Sequence, residues 1–227
     1  EKGVLRIYEP TSQIHLVTDS TCDLLPGFAR RHAINVVPLS VVFGKTVYKD
    51  GIDLLPDEFY QMLDGGEIFP STSPPGRGEF LELYRRLAAT GDVLSIHISS
   101  KQSQTAANAL EAASVGANEF AQIRLEADGV GVPEVRVVDS KSNSVGLGML
   151  VVFASRMIER GLSLDEIVRR LEEIRERLQF LFLVDTLEFL ADITVLVRAF
   201  QRQLIGGGRR EPGGSRRDIH VENCLIS

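Results

Sequence analysis

The stretch VRVVDSKSNSVGLGMLV, residues 135 to 151, places a five-residue run built on three β-branched valines directly before a serine cluster and then a helix-forming run. VRVVD reads as a strand, Ser140, Ser142 and Ser144 as its polar exit loop, and the residues beyond as a helix through about 160. Strand, polar loop, helix is the repeating unit of an α/β fold. Working outward, the unit recurs. IHLVT at 14 to 18 is closed by Asp19, Ser20 and Thr21, after which Leu24, Leu25 and Phe28 predict a helix. DVLSIHI at 92 to 98 is followed by SSKQSQT and an Ala-rich helical region from about 103. The exits VTDS (17 to 20) and VVDS (137 to 140) are near copies, although no longer period marks a true repeat.

Between these units the signals are mixed. NVVPLSVVF at 35 to 43 is β-rich, with Pro38 fitting an edge or a bend, and a helix starts at Pro56 and runs to 63. After the loop PSTSPPG, the spacing of Phe80, Leu83, Tyr84 and Leu87 predicts an amphipathic helix with Glu79, Glu82, Arg85 and Arg86 on its wet side. Gly161 can stop one helix, and Ser163 with Glu166 predicts a capping box for the next, whose stripe is Leu164, Ile167, Val168, Leu171 and Ile174. FLFLVD at 180 to 185 reads as a buried strand, 186 to 205 as helical, and GGGRREPGGSRR at 206 to 217 as a tail that does not pack. The alternation predicts an α/β fold, a mainly parallel sheet flanked by helices. Ligands in such folds sit outside the carboxyl ends of the strands. The loops 19 to 21, 99 to 105 and 139 to 144 are therefore expected on one edge.

Composition narrows the function classes. The chain has 227 residues, 44% hydrophobic and 25% charged, which is ordinary globular composition. A net charge of -6 argues against a nucleic-acid surface spread over the molecule. Cys22 and Cys224 are too few for a disulfide framework, so a reducing, cytoplasmic setting is expected. EKGVLRIYEP lacks the apolar core of a signal peptide, and the longest apolar stretch, 147 to 154, is far below the ~18 to 20 residues of a membrane span.

The strand exits supply Ser and Thr hydroxyls and helix N-termini, with hardly any Lys or Arg. Unpaired N–H groups and hydroxyl donors together can hold one carboxylate or phosphate, while the same residue types are ordinary caps. Asp19 and Asp139 are open to two readings, as a catalytic acid pair on a small phosphorylated substrate or as caps of their own loops. His15, His32, His97 and His220 lack metal-ligand spacing, and neither a metal nor a cofactor is expected. Gly146 and Gly148 make only a lone G-x-G, and Cys22 reads as a small packing residue.

Taken as an ordered set, VTDSTCDL (17 to 24), VVPLSV (36 to 41), TSPP (72 to 75), HISSKQSQT (97 to 105), residues 135 to 151 and FLFLVDTLEFL (180 to 190) closely resemble the DegV family. The resemblance covers roughly 14 to 190. It implies a cytoplasmic, non-enzymatic carrier of a long-chain fatty acid, with two α/β domains enclosing the acyl chain. Some members present the acyl group to a separate fatty acid kinase. The family's carboxylate-holding Thr and Ser correspond to Thr72 and Ser103, with Pro74, Gln102 and Gln104 standing where the family pattern has Gln, Leu and Gly.

After about residue 190 the sequence departs from the family's G-G-R-I motif, as a truncated or divergent C-terminus would. The expected organisation is an N-terminal extension over 1–13, a DegV-like domain with the carboxylate site over 14–160, a partial second domain over 161–205 and a Gly/Arg-rich flexible tail over 206–227. An incomplete second domain predicts self-association through exposed apolar surface. A nucleic-acid or acidic-lipid role for Arg209, Arg210, Arg216 and Arg217 stands against a solvated tail, and no nucleic-acid partner is expected. A relic that no longer binds fatty acid is the remaining alternative.

Overall fold

A computed structural model describes residues 13–25, 27–64 and 69–179. Strand β1 (Gln13–Asp19) pairs in parallel with β2 (Asn35–Val37) on one side and with β6 (Gly91–His97) on the other. Strand β7 (Val135–Asp139) pairs in parallel with β6 and completes the order β2-β1-β6-β7. A second sheet is small and antiparallel, with β3 (Ser40–Phe43) between β4 (Thr46–Lys49) and β5 (Ser71–Ser73). The helices are α1 (Phe28–Arg31), α2 (Pro56–Asp64), α3 (Arg77–Ala88), α4 (Thr105–Glu126), α5 (Ser144–Glu159) and α6 (Leu164–Arg177).

The parallel sheet is apolar on both faces because its strands alternate between two cores. Leu16, Leu94, Ile96 and Val138 pack with Leu147, Leu150, Val151 and Ala154 of α5 and with Leu164, Ile167 and Leu171 of α6. Val17 and Val93 face the other way, against Phe80, Leu83 and Tyr84 of α3 and Ala109, Ala112 and Phe120 of α4. The alanines let α3 and α4 lie close. Arg77 with Glu111 (2.6 Å) and Arg85 with Glu119 (2.8 Å) bridge them on the wet side. The result is helix, sheet, helix in three layers.

Several local expectations hold and several change. The parallel sheet, the strand at 135 to 139 and the helix closed at Gly161 (φ 72°) are as the sequence implies. NVVPLSVVF is two strands in two different sheets, because Pro38 breaks the run and lacks the N–H that a continuous ladder needs. The helix expected from Leu24 starts only at Phe28, after a 3-10 turn at Ser20–Cys22, and Leu25 is left 75% exposed. The capping box at Ser163 is half formed. Its hydroxyl accepts from Glu166 N at 3.4 Å, but the Glu166 carboxylate is drawn outward to Arg169 and Arg170.

Helix α6 falls in the 161–205 segment assigned to a partial second domain, yet it packs into the same core as β1 and β6, and this packing unit closes at Leu178. The expected strand at 180 to 185, the helix at 186 to 205 and the tail lie outside the described residues. Among the described residues no helix is long and apolar enough to cross a membrane.

Candidate functional site

Parallel pairing aligns the exits of the central strands, so Asp19, His97 and Asp139 end neighbouring strands on one edge. Asp19 is fully buried. Its Oδ1 accepts from Thr21 N at 3.1 Å and Thr21 Oγ1 at 2.5 Å; its Oδ2 accepts from Ile98 N and lies 3.0 Å from His97 Nδ1. Burial opposes ionisation, and the bonds from His97, Thr21 and Ile98 outweigh it, so the carboxyl sits below its ordinary value. Asp139 makes a similar tie from the other side of β6. It accepts from Ser100 N and Ser100 Oγ (2.6 Å) and from Lys141 N (2.9 Å). The two aspartates thus cap their own loops, as one reading of the sequence has it, and also stitch each loop to the exit of β6 between them.

That stitching positions the 99–105 loop. Ser99 N donates to Ser142 O at 2.8 Å, and Ser103 N donates back to Ser99 O at 3.1 Å. The Ser103 hydroxyl is half-buried, accepts from Thr105 N at 3.2 Å and shares a 2.7 Å bond with Thr105 Oγ1. Gln104 has φ -78°, an ordinary conformation for an L-residue, so replacing the family's Gly introduces no backbone strain. Gln102 is less at ease, since its buried Oε1 has no hydrogen-bond partner.

Thr72 lies exposed in β5, opposite Val41 of β3. Its loop leads straight into α3 and is fastened to α4, whose Asn108 Nδ2 donates to Pro75 O at 2.8 Å. The loops carrying Thr72 and Ser103 therefore share a fixed anchor. The N-cap side chains of α4 and α5, Gln104 and Asn143, make no bond to their helices, and both helix N-termini lie at this edge. Lys141, in the loop after β7, and Ser144, the first residue of α5, hold left-handed backbone conformations, φ 53° and 45°.

Two contributions were not visible as motifs. Arg175 of α6 reaches the edge from the far end of the chain and donates to Asp139 O at 2.8 Å. Tyr84 and Ser95 form a buried polar pair behind it at 2.7 Å. A cavity of about 310 Å³, lined by Gln13, His15, His32 and Glu159 among others, opens at the opposite end of β1 and shares no residue with the strand-exit edge.

The strand-exit edge of this α/β sheet thus gathers hydroxyls and helix N-termini, and its two carboxylates are each engaged by neighbouring backbone and side-chain donors. The chain belongs to the DegV family, whose sequence profile, described as "Uncharacterised protein, DegV family", matches residues 13–192. A DegV domain-containing protein of Deinococcus radiodurans is 33% identical over 212 residues, 88% of this chain and 70% of that protein. One from Clostridium perfringens is 30% identical and is covered over 59% of its length. Among solved structures, a DegV family protein of Thermus thermophilus described for its fatty acid binding matches with TM-score 0.66 and 34% identity, over 85% of this chain and 65% of that one. DegV of Bacillus subtilis, described as a fatty acid binding protein, matches with TM-score 0.71 and 30% identity, over 88% and 66%. The chain thus spans roughly three fifths to two thirds of most of these relatives.

Proposed function

We propose that this protein binds a long-chain fatty acid in a cytoplasmic setting, holding the carboxylate with the hydroxyls of Thr72 and Ser103 beside the N-terminus of α4. The observation that carries this is the Asn108–Pro75 bond, which fastens the Thr72 loop to the helix that follows Ser103. Family membership and relatives described by their fatty acid binding support the ligand class. With Thr105 Oγ1 as donor to Ser103, the Ser103 proton is free for the carboxylate. On α5, Val145 and Met149 are exposed at i, i+4 spacing, suited to one wall for the acyl chain.

The protein acts as a carrier and not a catalyst. Asp19 is 0% exposed and cannot touch a substrate, and Asp139 is engaged by three donors. Presentation of the acyl carboxylate to a fatty acid kinase, and self-association through apolar surface, complete the proposal. Native mass spectrometry of the purified protein should show a co-purifying acyl chain. Charge-assisted hydrogen bonds contribute about 1.5–3 kcal/mol each, so Thr72→Val and Ser103→Ala should each weaken palmitate binding about tenfold or more. Unchanged affinity in both removes the assignment.

A further inference from the structure

Behind the head-group edge runs a continuous buried chain of polar side chains. Tyr84 OH donates to Ser95 Oγ at 2.7 Å, Ser95 Oγ lies 2.7 Å from His97 Nε2, and His97 Nδ1 lies 3.0 Å from Asp19 Oδ2. All four residues are 0% exposed. Proton assignment follows from satisfying each group. Asp19 as a carboxylate only accepts, so His97 carries its proton on Nδ1. Nε2 is then an acceptor, Ser95 donates to it, and the Ser95 lone pair accepts the Tyr84 proton. One direction satisfies every donor. Reversing it leaves the Tyr84 hydroxyl proton buried without an acceptor, a loss that buried polar groups strongly resist.

One end of this chain is bonded toward the Ser103 loop, and the other lies on the helix that the Thr72 loop enters. Asp19 accepts from Ile98 N, the next residue Ser99 is held by Ser142, and Ser99 O holds Ser103 N. Tyr84 lies on α3, the helix into which the Thr72 loop runs, and Phe80 of the same helix meets the His97 ring edge-on at 4.9 Å and 73°. We propose that the Asp19–His97–Ser95–Tyr84 chain is a positioning device that fixes the Thr72 loop against the Ser103 loop, so that both hydroxyls meet one carboxylate. This rests on the head-group reading given above. None of the four touches the ligand; they act through the loops. A one-way chain suits the task, because a fixed direction of donation leaves the loops a single register.

The test compares the unsubstituted chain with Asp19→Asn and Tyr84→Phe. The second removes only a hydroxyl that touches neither loop and leaves no buried donor unpaired, so it folds even where the first does not. ¹⁵N NMR of His97 should show a protonated Nδ1 and a bare Nε2, a pattern that Asp19→Asn disturbs. Both variants should move the Thr72 and Ser103 amide resonances, and palmitate affinity should fall on the order of tenfold in Asp19→Asn and a few-fold in Tyr84→Phe. A purely stabilising role would lower the unfolding midpoint and leave loop amides and affinity alone. Unmoved amides, or moved amides with unchanged affinity, overturn the proposal. If the unsubstituted protein binds no palmitate, the head-group reading fails by itself, and the amide shifts alone then decide whether the chain couples the two loops.

Discussion

Asp19 and His97 end adjacent parallel strands and meet at 3.0 Å with both side chains fully buried, so a pair separated by 78 positions joins the first strand exit to the third. The Asp19 carboxyl is held below its ordinary value of 3.8 against the effect of burial. A depressed folded value means the stabilisation is fully present above pH 3.8 and is lost as pH falls through the lower folded value. In Asp19→Asn nothing titrates at this position. The gap in melting temperature between the unsubstituted protein and the variant should therefore be constant above about pH 5 and narrow below pH 4. A gap independent of pH down to acid unfolding would show that Asp19 is not ionised in the fold.

Gln102 offers the opposite case, a polar group whose burial lacks compensation. Its Oε1 is buried without a partner, where the family pattern has Leu. Leaving a buried acceptor unsatisfied costs about 1–3 kcal/mol. Gln102→Leu should raise unfolding free energy by about 1 kcal/mol in urea titration. A loss of stability instead would place a donor opposite Oε1.

The legible part of this fold was the part governed by periodicity and loop chemistry. VRVVD is a strand at the expected residues, and the register of β1, β6 and β7 puts three serine- and threonine-rich exits on one edge. The two outer strands of the second sheet were not legible, because Ser71–Ser73 is exposed throughout and Thr46–Lys49 has no buried face from which a period-two pattern could arise. Pairing alone makes them strands. The same limit applies at the site. Asp19 could be read locally as a cap, but its partners His97 and Ile98 arrive from a distant strand, and Ser95 with Tyr84 looks like ordinary strand and helix sequence until the two elements are stacked. Arg175 was likewise hidden among the alternating charges of α6.

The lone G-x-G of the sequence has a packing explanation that leads to a last prediction. A Cβ on Gly148 would strike the backbone carbonyl of Cys22, so α5 lies against the 3-10 turn at a distance that only glycine allows. Backbone cannot yield as a side-chain tip can, and Gly148→Ala should cost about 1–3 kcal/mol through displacement of α5 from the turn. Cys22 reports on this contact directly. Burial pushes its thiol from 9.0 up to about 11. Two pKa units reduce the thiolate fraction near pH 8 about a hundredfold, and the thiolate is the reacting species. Iodoacetamide should therefore modify Cys22 at least about a hundredfold more slowly in the native protein than in urea, as peptide mapping of the Cys22 fragment would read. In Gly148→Ala the native rate at Cys22 should rise as the α5 contact opens. Equal labelling of Cys22 in both proteins, with equal stability, would mean that the helix accommodates the extra methyl group without leaving the turn.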